Sequence, residues 1–238
     1  RADRPMPWCP RCGTSLSEHE MAGSHREIQH EAVYATAKVV GADFDMLVWT
    51  TTPWTLAANA ALAVHPELEY AKVLAQGHPR PLVLAKRALR RLEGNIKVLD
   101  TFRGAELAGR EYETFFPFLP AQKGAAHRIL PWDAVDAEEG CGVVHIAPGC
   151  GAEDFELGRK FGLPANCPVD EAGVFYEDWG FLAGMDAGRA APAVFEKLRE
   201  LGKLFRTHPH VHSYPVCWRC KAQVLFRLVR EWYIRTDE

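Results

Sequence analysis

The chain has 238 residues, 47% of them hydrophobic and 25% charged, with a formal net charge of −3 and a pI near 6.4. That is enough chain for one large domain or two small ones with ample core, and it excludes a disordered or low-complexity protein. The slightly acidic balance gives no bulk attraction to nucleic acid, so any RNA contact must come from local patches or from parts of a larger protein.

The start, RADRPMPWCPRC, does not read as a signal peptide, and no apolar run approaches membrane-spanning length, so no membrane role is expected. Seven cysteines, an odd number that includes two CxxC pairs, point to a reducing compartment, a cytoplasmic setting and metal binding instead of a disulfide scaffold. Cys9-Pro-Arg-Cys12 and Cys217-Trp-Arg-Cys220 each form a tight turn that aims two thiolates at one point. Twice CxxC is the half-site pattern of a tetrahedral zinc with four cysteine ligands. The long gap between the pairs makes sense if the two ends of the chain return to one place and the metal clips them. Four thiolates leave no open position, so this zinc is structural.

Along the chain, residues 29–40 alternate apolar and polar over Val33, Ala35, Ala37 and Val39, and a Gly41 turn leads into a strand over 46–49. Three threonines follow, Thr50, Thr51 and Thr52, and then Pro53, which suits the first position of a helix over 53–60 with Thr52 as its N-cap. Strand end, hydroxyls and helix start together can hold a ribose or an anion. Read alone, a structural cap explains them better. Strands are expected over 69–75, 81–85, 96–102, 110–118 and 128–135. A helix over 86–93 carries a basic face of Lys86, Arg87, Arg90 and Arg91, read as solvated surface ahead of an RNA patch.

A second chemical stretch is GCGVVHIAPGCGAEDFELGRKFGLP, residues 140–164. A strand over 143–147 carries His145 at its centre. The loop around Gly149 and Cys150 lets backbone approach a ligand, and Glu153, Asp154 and Phe155 open a helix that Gly162 stops. A carboxylate in a first helical turn is favoured by the helix dipole, so Asp154 is expected to stay ionised. On these residues alone, capping accounts for Glu153 and Asp154. Beyond it come a hairpin over 168–175, an amphipathic helix over 189–202 with Val194, Phe195, Leu198 and Leu201 inward, and a final strand over 223–235. His208, His210 and His212 stand at strand spacing, read as an exposed strand or loop without a fourth metal ligand nearby. Short strands dominate, which predicts a β-rich α+β fold: a closed or nearly closed β-barrel with peripheral helices and a terminal zinc knuckle.

The string WTTTPWTLAANAALAVHP resembles the threonine-rich region of the editing domain of isoleucyl-tRNA synthetase, a class I synthetase. Leucyl and valyl relatives usually read TTRP followed by an acidic residue where this chain has Trp54. HIAPGCGAED is similar to the family's HIAPGHGxDD motif, with Cys150 in place of the usual His and Glu153 in place of the usual Asp. YPVCWRC followed by EWYIR extends the likeness over nearly the whole chain, and the family's HIGH and KMSKS signatures of aminoacylation are absent from it.

The resemblance implies an editing domain over 26–204, with residues 1–25 and 205–238 as a zinc-knuckle neck to the remainder of the synthetase. It implies hydrolysis of valine misattached to the 3′ end of the isoleucine tRNA, or of valyl-adenylate. One methylene separates valine from isoleucine and is worth only about 1–3 kcal/mol, a limit that isoleucyl-tRNA synthetase itself exemplifies. By position, Asp154 would hold the substrate ammonium, and Thr50, Thr51, Thr52 and Asn59 the ribose and carbonyl oxygens. His145 would sit at the pocket wall, with Trp49, Gly149, Cys150 and Phe155 as further substrate contacts. Two other readings stand beside it: a non-catalytic module that binds the tRNA acceptor end, and a thiol hydrolase using Cys150 with His145 as base.

Overall fold

The computed structural model describes residues 1–123, 127–138 and 140–232. Its first strand, β1 (Ala2–Cys9), is followed by β2 (Thr14–Ser15), the short helix α1 (Glu18–Met21), β3 (His25–Lys38) and β4 (Asp45–Thr50). A 3-10 turn over Pro53–Ala58 leads to β5 (Ala61–Val64), β6 (Glu69–Ala75), β7 (Leu82–Ala85) and β8 (Ile96–Arg103). Then come β9 (Arg128–Pro131), β10 (Val143–Ile146), α2 (Ala152–Phe161), α3 (Ala191–Glu200), β11 (Leu204–Pro215) and β12 (Leu225–Glu231). Residues 233–235 of the expected last strand lie outside the described residues.

The β-rich α+β fold is built from three open sheets: a six-stranded one ordered β11-β3-β4-β7-β6-β8, and two of three strands, β10-β5-β9 and β12-β1-β2. No closed barrel forms among the described residues. β8 and β11 remain at the two edges of the large sheet, and β8 shows mostly exposed side chains. The smaller β10-containing sheet packs beside β4 without a ladder between them. Cys141 Sγ donates to the Leu47 carbonyl at 2.9 Å, and the Tyr70 hydroxyl donates to the Gly142 carbonyl at 2.6 Å. These two links tie the residues just before β10 to β4 and to β6, and the β4–β10 junction is where the two chemical stretches meet.

The hairpin read from the alternation of residues 29–40 is real: Val33 pairs with Thr50 and Tyr34 with Trp49, antiparallel. The strand expected over 110–118 is not. Phe115 and Phe116 are adjacent and both fully buried, which a strand with alternating faces cannot achieve over a one-sided core. The segment stays irregular, touching its neighbours through isolated bridges at Tyr112 and Glu111. α3 buries Val194 and Leu198 as expected, but Leu201, past the helix end, is exposed.

β11 pairs with β3 along its whole length, so residues 205–215 are part of the large sheet, while the ribbon joining the chain ends is β1 against β12, in register from Ala2↔Glu231 to Trp8↔Leu225. No helix among the described residues is long and apolar enough to cross a membrane.

Candidate active site at the junction of two sheets

At the end of β4 the backbone turns sharply, and the threonine side chains bond one another instead of capping a helix. Thr52 makes no cap hydrogen bond. Thr50 Oγ1 accepts from the Thr52 N–H at 3.1 Å and lies 3.2 Å from Thr52 Oγ1. Thr55, three residues on and so on the same face of the 3-10 turn, donates from its hydroxyl to the Thr52 carbonyl at 2.8 Å. Its oxygen also lies 2.9 Å from His145 Nε2, on β10. Since a carbonyl can only accept, the Thr55 proton is committed to Thr52, and His145 must donate from Nε2. Its Nδ1 is then a lone pair, buried and without a partner among the described residues. Burial drives the imidazole down to about 4, so His145 is neutral at physiological pH.

This geometry makes Thr55→Val a test of the Thr55–His145 hydrogen bond. It leaves the buried Nε2–H without an acceptor, and the chain should lose about 1–3 kcal/mol in denaturant unfolding, whereas Thr55→Ser should restore most of it. Equal stability of the valine variant would show that the bond is not made.

On the other side of the cleft, the loop 147–151 is folded onto α2 by Asp154. Gly151 is the N-cap residue, and Asp154, in the first turn, accepts the Ala147 N–H through Oδ2 at 2.8 Å. Burial pushes the Asp154 carboxyl up to about 6, against the pull of that N–H and with a further push from Glu153. The helix dipole that favours the charge is therefore outweighed by desolvation, and Asp154 is an ionised but strained carboxylate at neutral pH.

Trp49, Thr50, Thr51, Thr52, Thr55, His145, Cys150 and Asp154 line one cleft of about 430 Å³. Segments about a hundred residues apart in the chain thus meet at one place. Asp136 and Glu153 line it as well, and no lysine or arginine does among the described residues. A cleft with three carboxylates and no cation suits a cationic ligand. Gly140 lets the opposite wall close in: it has φ +62° and a Cβ there would meet the Trp49 ring at 2.8 Å. Arg91 holds the same loop by donating to the carbonyls of Gly140 and Glu138, so the basic segment 86–91 serves partly as a latch for the cleft wall.

Three of the expected substrate contacts lie elsewhere. Asn59 is turned into the core, where Nδ2 donates to the Ala61 carbonyl and Oδ1 accepts from the Tyr112 hydroxyl at 2.6 Å. Gly149 meets protein backbone, since a Cβ would stand 2.0 Å from the Asn166 carbonyl oxygen. Phe155 is half-buried on α2 outside the cleft lining. Cys150 does line the cleft, but burial holds its thiol well above the ordinary range, and His145 Nδ1 makes no bond to it. That removes the basis for a thiol nucleophile. Thr55 is the residue that sequence reasoning missed.

At the far end of the molecule, Cys9, Cys12, Cys217 and Cys220 bring their sulfurs within 4.8 Å of one another, close enough to hold a metal ion. Tetrahedral zinc with Zn–S bonds of about 2.3 Å sets sulfurs roughly 3.8 Å apart, and Cys9 Sγ lies 3.5 Å from Cys220 Sγ. The donor set and its spacing fit that ion.

No family model matches the chain. The fold is that of a synthetase editing domain. It superposes on the crystal structure of GlLeuRS-CP1 with a TM-score of 0.56 at 12% identity, over 75% of this chain and 99% of that one. The editing domain of the cytosolic leucyl-tRNA synthetase of P. falciparum gives 0.56 at 11%, over 75% and 99%. In sequence, the chain is a homologue of one segment of isoleucine–tRNA ligases. It is 39% identical to that of Pyrococcus horikoshii over 99% of its own length, and 38% identical to that of Clostridium acetobutylicum over 97%. It spans 23% and 22% of those relatives.

Proposed function

We propose that the cleft hydrolyses the ester between valine and the 3′-terminal adenosine of the isoleucine tRNA, and accepts valyl-adenylate by the same contacts. The single observation that carries this reading is the pairing of a half-buried carboxylate, Asp154, with a row of threonine hydroxyls in a cleft lined by no lysine or arginine among the described residues. Such an ester has an ammonium beside an activated carbonyl and a ribose beyond it. Asp154 meets the ammonium, and the buried charge that costs stability in the free protein is offset when that partner arrives. Thr50, Thr51 and Thr52 hold the ribose and carbonyl oxygens and a water. With the carbonyl fixed by its neighbour, orientation supplies most of the acceleration, and the activated ester needs no strong base. His145, neutral and anchored by Thr55, forms the pocket wall and limits the size of the side chain admitted.

In this reading zinc sits at Cys9, Cys12, Cys217 and Cys220, with no open coordination position, and fixes the ribbon through which the domain joins the rest of a synthetase. The tRNA and the remainder of the synthetase are then the partners. The test is hydrolysis of valyl- against isoleucyl-tRNA. Valine should be released faster by ~10-fold or more, the scale set by excluding one methylene. Equal rates on both, or none on either, would contradict the proposal.

A further inference from the structure

We infer that the ring-bearing face of β11 is the track for the single-stranded 3′ end of the tRNA, whose bases stack on it as the strand runs away from the cleft. This rests on the reading of the cleft as the site of the terminal nucleoside.

Strand alternation puts His208, His210, His212 and Tyr214 on one face of β11. Their rings touch in sequence, with centroids 6.1, 5.4 and 5.5 Å apart. His30, from the neighbouring β3, joins them 5.1 Å from His212 and 4.8 Å from Tyr214. At the other end the Trp49 ring lies 5.2 Å from His210 and stacks on His208 at 6.5 Å. Trp49 also lines the catalytic cleft. An unbroken row of rings thus runs from the cleft for about 20 Å, six residues of strand at ~3.3 Å each.

All six rings are half-buried, leaving surface for a ligand, and β11 is an edge strand with nothing beyond it among the described residues. The row is not an ordinary apolar patch, because the ring edges are polar. The buried atoms Trp49 Nε1 and His208 Nδ1 also lack hydrogen-bond partners among the described residues. Nor is it a metal site: among the described residues, the only set of three or more ligating groups within 4.8 Å is that of the four cysteines. Bases stack on such rings whatever their identity, each with a substantial gain in affinity. With a net charge of −3, the chain must draw on stacking more than on charge to hold a polyanion.

The test uses a fluorescent RNA tetranucleotide ending in CCA, with valyl-adenosine as a substrate too short to reach the row. The double variant His210→Ser, His212→Ser should bind the tetranucleotide at least ~10-fold more weakly, with its thermal midpoint kept and valyl-adenosine hydrolysis within about twofold of the parent. The ring-retaining pair His210→Tyr, His212→Tyr should hold affinity within about threefold. Unchanged affinity in the serine pair, as expected if another part of a longer polypeptide covers this face, would overturn the inference, and so would loss in the tyrosine pair. Intact tetranucleotide binding by a parent chain that fails to hydrolyse valyl-adenosine would uphold the track and count against the hydrolysis reading.

Discussion

Asp154→Asn should lose valyl ester hydrolysis by roughly a hundredfold or more and yet be more stable than the parent at neutral pH. The activity loss combines a charge-assisted hydrogen bond of about 1.5–3 kcal/mol with the misplacement of the carbonyl that follows. The stability gain follows from the carboxyl being pushed up to about 6 by burial. Its ordinary value is 3.8. Between those two values the folded chain binds more protons than the unfolded one, so stability falls as pH rises through that window. Above it the ionised group costs about 2–3 kcal/mol, which asparagine, still able to accept the Ala147 N–H, removes. The variant should therefore melt several degrees higher at pH 8, with the advantage shrinking as pH falls through 6. A variant that is less stable at pH 8 would mean Asp154 is chiefly a structural staple of the loop 147–151.

The second large effect lies at the opposite end of the molecule. Purified under metal-replete conditions, the chain should carry one zinc, and Cys217→Ser or a strong chelator should cost more than ~3 kcal/mol of stability. The four sulfurs lie in a small core of their own, with Leu16 and Val224 beside Cys9 and Cys217, which the ion would hold together. Because none of these residues lines the cleft, valyl-adenosine hydrolysis at moderate temperature should persist. Absence of bound zinc, or a midpoint unmoved by chelation, would refute the site.

The parts of this structure that were legible in the sequence are those where a local pattern decides the outcome. The alternation of Val33, Ala35, Ala37 and Val39 marks β3 correctly as a strand and all four are buried, but it underestimates the burial, since Ala32, Tyr34 and Thr36 on the other face are buried as well. Gly162, in the left-handed region at φ 68°, stops α2 where expected. The cysteine pairs meet because β1 and β12 zip together. What was not legible depends on neighbours remote in the chain. Asn59 has the chemistry of a ribose ligand, but its amide is claimed by Tyr112, 53 positions away. Nothing local marks Thr55, because the partner of its hydroxyl is His145, 90 positions on. The dipole argument for Asp154 gave the favoured charge state but not its cost, since desolvation is set by packing. The barrel failed to close for a similar reason: strand count says nothing about which edges stay open.

One contact decides the proposed hydrolysis, the pairing of Asp154 with the substrate ammonium. It is tested most directly by comparing the valyl ester of adenosine with the ester of the matching α-hydroxy acid, in the parent chain and in Asp154→Asn. The parent should prefer the valyl ester by ~10-fold or more, and the variant should hydrolyse both at similar low rates, because the preference lives in the charge pair. A parent chain that does not distinguish the two esters, or a variant that keeps the full preference, would contradict it.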